Sequence, residues 1–208
     1  MNHKTLALLA LCALPLAAAA QVQPADDPVG QATAAYFEKQ FANLKAVADR
    51  HPTKDTFRAA MKPLEDATPG FFGGSYIDTD FVIREVYHPR DFLARGFDLK
   101  KVKQLDHFWT LMRKAPTPQL SEPGHGNLVQ PRLIAMRYPV LNDGQLAGVV
   151  SYFVRTDYFL KAVGLEKAKA YRITCRGTVA EEKGKLGDQP RSVTIALPEN
   201  EWLIEYVL

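Results

Sequence analysis

Two arginines, Arg132 and Arg155, have the spacing that would place them opposite one another on two paired strands. The apolar segments 133–141 and 146–156 flank the tetrapeptide Asn142-Asp143-Gly144-Gln145, whose central Asp-Gly favours a two-residue type I′ turn. Counting outwards from that turn, Arg132 faces Arg155. Like charges directly opposite one another repel, and guanidinium groups suit carboxylates. The pair therefore predicts a bound carboxylate or other anion.

The two arginines have a second interpretation, in which acidic side chains or water neutralise them. Asp157 or a glutamate is then the partner, and no ligand is required. Side chains alternate between the two faces of a strand. The same register therefore places six further side chains on the face of the arginines: Ile134, Met136, Tyr138, Val149, Ser151 and Phe153. A three-residue turn would shift this register.

The other residues that could perform catalysis or bind a metal lack a recognisable spacing. The sequence has no His-x-x-x-His or Cys-x-x-Cys pair, no haem attachment pattern, no Gly-x-Ser-x-Gly and no glycine-rich phosphate loop. The histidines after residue 20 are His51, His88, His107 and His125. We therefore expect neither an enzyme nor a metal or cofactor site.

The charge balance argues against some classes of partner. The chain has 208 residues, of which 26 are basic and 23 acidic, and Lys4 is the one charged residue among the first 20. A net charge this small does not suggest nucleic acid or an anionic membrane surface as partner. The length after residue 20 is sufficient for one domain with its own core.

The first 20 residues have the three parts of a secretory signal peptide. A short start with Lys4 precedes an apolar run over residues 5–16, and Ala18 and Ala20 fit the A-x-A pattern of a cleavage site. We expect cleavage after Ala20, a periplasmic or secreted protein, and no membrane insertion after cleavage. A membrane anchor is the alternative, but the run is shorter than the roughly 20 apolar residues that a spanning helix needs.

The two cysteines carry separate predictions. Cys12 leaves open a lipidated form tethered to a membrane, although Leu11 occupies a position where lipoprotein signals carry a small residue. Cys175 is the single cysteine after residue 20, so the cleaved chain forms no internal disulfide. It lies in an apolar, strand-like segment, where a free cysteine behaves as a small buried hydrophobe. An intermolecular bridge is the alternative.

Helices and strands must position these side chains, and their order predicts an α+β domain. Residues 21–29 form a flexible leader and residues 30–208 a single domain. Helices are expected over residues 31–50, 100–113 and 158–163, with a shorter helix that begins at residue 53. Strands are expected over residues 75–78 and 81–87, in the hairpin, and over residues 170–175, 192–197 and 202–207. Helices then cover one face of an antiparallel sheet.

Seven short motifs resemble, in their order and spacing, those of the Cache family, the extracytoplasmic PAS-like ligand sensors. They are Gly74-Ser75-Tyr76-Ile77-Asp78, Gly96-Phe97-Asp98-Leu99, Phe108-Trp109, Leu120-Ser121-Glu122-Pro123, Tyr138-Pro139-Val140, Asn142-Asp143-Gly144 and Gly148-Val149-Val150-Ser151. The resemblance covers about residues 31–163. It implies a PAS-like domain with a long N-terminal helix and a small molecule bound between the helical cover and the sheet, without a cofactor.

The resemblance also assigns individual residues. Trp109 matches an aromatic wall of the family's pocket, His107 stands where amino-acid-binding members carry an arginine, and Phe153 where they carry an aspartate. A generic α-amino acid is therefore not the expected ligand. Together with the hairpin, these matches give the expected ligand-binding residues: Tyr76, His107, Trp109, Arg132, Tyr138, Ser151, Phe153 and Arg155.

The functional expectation is an exported sensor domain that binds a small molecule. The sequence ends at Leu208 without a predicted second anchor or output module. We therefore expect it to pass the bound state to a membrane partner such as a sensor kinase or chemoreceptor. The alternatives are a structural or protein-interaction module whose pocket is filled and, third, a periplasmic enzyme.

Overall fold

A computed structural model describes residues 24–88, 94–124 and 132–208. The helices are α1 (Pro28–Ala48), α2 (Phe57–Ala67), α3 (Asp106–Lys114) and α4 (Thr156–Ala162). The strands are β1 (Phe71–Ile77), β2 (Ile83–Tyr87), β3 (Gln119–Leu120), β4 (Leu133–Asn142), β5 (Gln145–Arg155), β6 (Ala170–Cys175), β7 (Thr178–Lys183), β8 (Arg191–Leu197) and β9 (Asn200–Val207). The predicted signal peptide, its cleavage site after Ala20 and Cys12 lie outside the described residues.

The long first helix is confirmed, and it begins earlier than its apolar pattern predicts. Asp27 precedes it, and the Asp27 carboxylate accepts a hydrogen bond of 2.8 Å from the Gly30 amide, as an N-cap does. Pro28 at the first helical position strengthens this start. Residues 24–29, predicted as part of the leader, therefore form a 3-10 turn and the beginning of α1.

The strands form two antiparallel sheets, with the orders β2-β1-β5-β4-β3 and β7-β6-β9-β8. The predicted α+β class is confirmed, and the last four strands make a second sheet rather than extending the first. Helix α1 packs on both sheets, since its 21 residues give a length of about 30 Å. Its Phe37 meets Trp202 of the second sheet with ring centroids 5.1 Å apart.

The β4–β5 hairpin has the predicted turn but not the predicted register. Asn142 pairs with Gln145 as expected, and a β-bulge next to this turn then shifts the pairing by one residue. Tyr76 closely approaches Gly148 of β5 beside the bulge. A Cβ atom on Gly148 would lie 2.7 Å from the Tyr76 hydroxyl oxygen. The predicted pairing of Arg132 with Arg155 is therefore wrong, and Arg155 pairs with Leu133.

The shifted register decides which side chains share a face of the five-stranded sheet. One face packs against α1 and α2 and carries Tyr76, Ile134, Met136, Tyr138, Val150, Tyr152 and Val154. The other face, called here the α3 face, carries Ser75, Ile77, Ala135, Arg137, Val149, Ser151 and Phe153. Helices thus lie on both faces of this sheet, with α3 opposite the long α1. No helix among the described residues is long and apolar enough to span a membrane.

Candidate ligand site on the α3 face

Four polar side chains form one row across the α3 face. Gln119, Arg137, Ser151 and Ser75 are successive cross-strand partners on β3, β4, β5 and β1. All four are buried, with 1 to 7% of their surface exposed. The hydroxyl oxygens of Ser75 and Ser151 lie 2.7 Å apart. Polar groups buried this deeply in a sheet need hydrogen-bonding partners. The row therefore gathers several hydrogen-bonding groups at the centre of the α3 face.

Arg137 is the charged member of this row. Its guanidinium carbon lies 4.4 Å from the centre of the Phe108 ring on α3, a cation–π contact. Burial lowers the pKa of Arg137 to about 10, while Glu122 opposes that effect and Arg176 adds to it. A buried ionisable group with a shifted pKa is a frequent mark of a functional site.

An aromatic cluster from α3 and the turn before β2 fills one half of the α3 face. Phe108, Trp109 and Met112 of α3 pack with Phe81 over Ile77 and Val149 of the sheet, and all six side chains are buried. The Trp109 indole donates a 3.1 Å hydrogen bond to the Leu99 carbonyl, which fixes α3 to the 3-10 turn Leu99–Lys101. This half is therefore closed by the protein's own side chains.

The other half of the face carries the half-buried ring of Phe153. Phe153 lies next to Ala135 on the neighbouring strand and two residues from Ser151. Ala135 is 1% exposed, so Phe153 and Ala135 together form a mostly covered apolar region next to the polar row. The Gln119 amide donates to the Phe108 carbonyl at 3.4 Å, which joins the row to α3.

Three of the eight predicted ligand-binding residues lie on the α3 face: Trp109, Ser151 and Phe153. Tyr76 and Tyr138 are on the opposite face, because the bulge and the alternation along β1 turn them towards α1 and α2. The Tyr76 ring lies 6.3 Å from Phe57 of α2. His107 is exposed on α3, whose buried side carries Phe108. These three residues are therefore not brought together with the row.

The two arginines predicted to bind an anion are ion-paired instead. Arg132 contacts the Glu181 carboxylate at 3.2 Å and donates to the Ala180 carbonyl at 2.8 Å. Arg155 pairs with Asp157 at 2.8 Å. Acidic side chains thus pair with both arginines, as the second interpretation expects. The direct pairing of Arg132 with Arg155 across the hairpin, on which the predicted anion site depended, does not form.

The sequence pattern did not identify Arg137, because a register without the bulge places Arg137 on the same face as Val150, away from the predicted site. Two signals point to it in retrospect. Arg137 is the one charged side chain in the ten residues of β4, and a charge in an otherwise apolar strand calls for a reason. Gly148 inside β5 is a signal of a bulge or a close backbone approach.

Two features that enzymes often use, a metal cluster and a reactive thiol, are not found among the described residues. No group of three metal-ligating side chains occurs among residues 24–88, 94–124 and 132–208. Cys175 is buried, and burial raises the pKa of its thiol to about 12. A thiol with so high a pKa is a poor nucleophile at neutral pH.

Comparison with known proteins assigns the fold. No family model and no curated protein matches the sequence. An extracellular ligand-binding receptor from Desulfohalobium retbaense is similar in structure, with 17% identity and a TM-score of 0.66 over 87% of this chain. This chain covers 39% of that receptor.

Two chemoreceptor domains of Pseudomonas aeruginosa are similar over nearly their whole length. The ligand-binding domain of the amino-acid chemoreceptor PctC, in complex with GABA, has 12% identity and a TM-score of 0.62; 86% of this chain and 94% of that one are covered. The domain of PctB, in complex with L-Arg, has 14% identity and a TM-score of 0.63, with 84% and 88% covered. The chain therefore has the fold of chemoreceptor ligand-binding domains, which confirms the predicted Cache-like, PAS-like architecture.

Proposed function

We propose that this protein is an exported sensor domain that binds a small organic acid between the five-stranded sheet and α3. The observation that carries the proposal is the buried polar row with Arg137 at its centre. A guanidinium donates two parallel hydrogen bonds to one carboxylate, and a low-dielectric site strengthens each of them. Two proteins of the same fold were solved with GABA and L-Arg, which both contain a carboxylate.

Each part of the row has a role in this proposal. Arg137 binds the carboxylate, and the hydroxyls of Ser151 and Ser75 supply further donors and acceptors beside it. The apolar part of the ligand packs on Phe108 and Phe153. The row itself contains no carboxylate, and Glu122, whose charge acts on Arg137, is already paired with Arg176 at 3.0 Å. An α-ammonium group would therefore lose its water without a free anionic partner among the described residues. An organic acid is therefore favoured over an amino acid.

Contacts between the sheets support a route by which the bound state reaches a partner. Gln119 of the row precedes Leu120, whose amide donates to the Pro198 carbonyl and whose carbonyl accepts from Asn200, both at 3.0 Å. A shift of β3 on binding is thereby passed to the β8–β9 turn of the second sheet. A membrane sensor kinase or chemoreceptor that contacts the second sheet would read that shift, in keeping with the predicted signal peptide.

A thermal-shift screen of the mature protein against mono- and dicarboxylic acids tests the proposal. A ligand at a hundred times its dissociation constant adds about 2.7 kcal/mol to the free energy of unfolding. Arg137→Met should abolish the shift, and Arg155→Met, which removes an arginine from the surface of the same sheet, should retain it. Equal shifts in both variants would exclude Arg137 as the anion-binding residue.

One observation favours the alternative of a protein-interaction module. Phe81, Phe108 and Trp109 already pack densely over half of the α3 face. If none of the acids stabilises the wild-type protein, the face is a filled core and the interaction module becomes the better account.

A further inference from the structure

A second cleft lies beside α3, separate from the buried row. It has a volume of about 270 Å³ and is lined by Lys100, Trp109, Thr110, Arg113 and Lys114. The four α3 residues follow the helical spacing of one side of that helix, and Lys100 comes from the 3-10 turn packed against it. Three of the five lining side chains are cations, and none is an acid.

The cations of this cleft are not neutralised by the described part of the chain. Among those residues no carboxylate lies within ion-pair distance of Lys100, Arg113 or Lys114. Residues 94–114 contain six basic and two acidic side chains, which leaves 20 basic and 21 acidic ones for the other 187 residues. The small net charge of the whole chain therefore conceals a local positive region.

The walls of the cleft are held in place by contacts outside it. The Trp109 indole donates to the Leu99 carbonyl at 3.1 Å and so fixes the turn of Lys100 to α3. The guanidinium carbon of Arg113 lies 5.1 Å from the centre of the Phe81 ring, which is fully buried. This contact restrains the otherwise exposed Arg113 side chain. A cationic cleft arranged in advance loses less entropy when it binds an anion.

We propose that this cleft binds a phosphomonoester group. Such a group carries about −1.5 to −2 charges at neutral pH, which suits three cations better than a single carboxylate does. The Arg113 guanidinium matches phosphate oxygens, the two lysines act as point charges, and the Thr110 hydroxyl adds a donor. The volume is slightly below the roughly 300–1,000 Å³ of usual ligand pockets, so the cleft takes a headgroup or small ester rather than a large ligand.

The same chemistry has two sources, a soluble phosphate ester and the headgroup of a lipid. Binding of glycerol 3-phosphate to the mature protein, followed by tryptophan fluorescence, tests the first source. Trp109 lines the cleft, whereas Trp202, the other tryptophan, is fully buried. Flotation with phosphatidylcholine vesicles that contain phosphatidic acid tests the second source. Binding of one probe alone identifies the source, and either result supports a phosphomonoester site.

The test variant carries two substitutions in the cleft, Lys100→Gln and Lys114→Gln. The control variant removes the same charge at two exposed positions of the C-terminal part, Lys167→Gln and Lys185→Gln. The cleft variant should bind about tenfold more weakly or worse, the usual effect of losing a charge-assisted hydrogen bond. The control should bind like the wild type. The proposal is overturned if neither probe binds the wild type, or if the cleft and control variants bind equally.

Discussion

Replacement of Arg137 by methionine should change the stability of the fold little while abolishing binding of the organic acid. The side chain is 7% exposed, and burial lowers its pKa from an ordinary value of 12.5 to about 10. At about 1.4 kcal/mol per pKa unit, holding the charge in this site costs the folded state about 3 kcal/mol. The contact with Phe108 returns about 1 to 2 kcal/mol of that cost, and a further interaction of Arg137 offsets more of it.

The expected net effect of Arg137→Met is a change of about 1 kcal/mol or less in the free energy of unfolding, since apolar replacements of buried charged groups are often neutral or stabilising. Urea unfolding monitored by circular dichroism measures it. Because the lowered pKa is still about 10, the arginine is charged in both the folded and the unfolded state near neutrality, and the effect should be the same at pH 6 and pH 8. A loss of more than about 1 kcal/mol at unchanged m value would refute the reasoning and make Arg137 a structural residue.

Three further predictions concern the framework of the site. Tyr152→Phe removes a buried 2.6 Å hydrogen bond to Gln40 and should lower the free energy of unfolding by about 1–3 kcal/mol; a smaller loss in urea unfolding would mean that the amide finds another partner. Gly148→Ala should cost about 1–3 kcal/mol, because the new methyl group meets the Tyr76 ring, and a neutral result would contradict the bulged register. Burial raises the pKa of Glu181 above 4.5, so the folded state binds the proton more tightly than the unfolded state does. The wild type should therefore lose stability relative to Glu181→Gln as the pH rises from 4.5 towards neutrality. Parallel stability curves of the two proteins would contradict that shift.

Elements that depend on local pattern were predictable from the sequence. The apolar side chains of α1 recur with helical spacing, and Asp143-Gly144 forms the two-residue hairpin turn that its dipeptide favours. Trp109 lies on the buried stripe of α3 as its spacing predicts. These features need only the preferences of neighbouring residues.

Features that depend on contacts between distant residues were not predictable in this way. The bulge coincides with the approach of Tyr76, which is 72 residues away from Gly148, and one extra residue there moves Arg137 to the α3 face. The ion pair of Arg132 likewise requires Glu181 of the second sheet. Alternation along a strand assigns side chains to the correct face only when the register is known. The sequence therefore predicted the turn correctly but named Arg132 and Arg155, rather than Arg137, as the candidate anion-binding residues.

A crystal structure of the protein with the best acid from the screen tests the central claim most directly. We predict that the carboxylate of the ligand accepts hydrogen bonds from Arg137 and lies beside Ser151 on the α3 face. A ligand bound on the opposite face beside Tyr76 and Tyr138, or a carboxylate held by Arg132 or another residue instead of Arg137, would contradict the account.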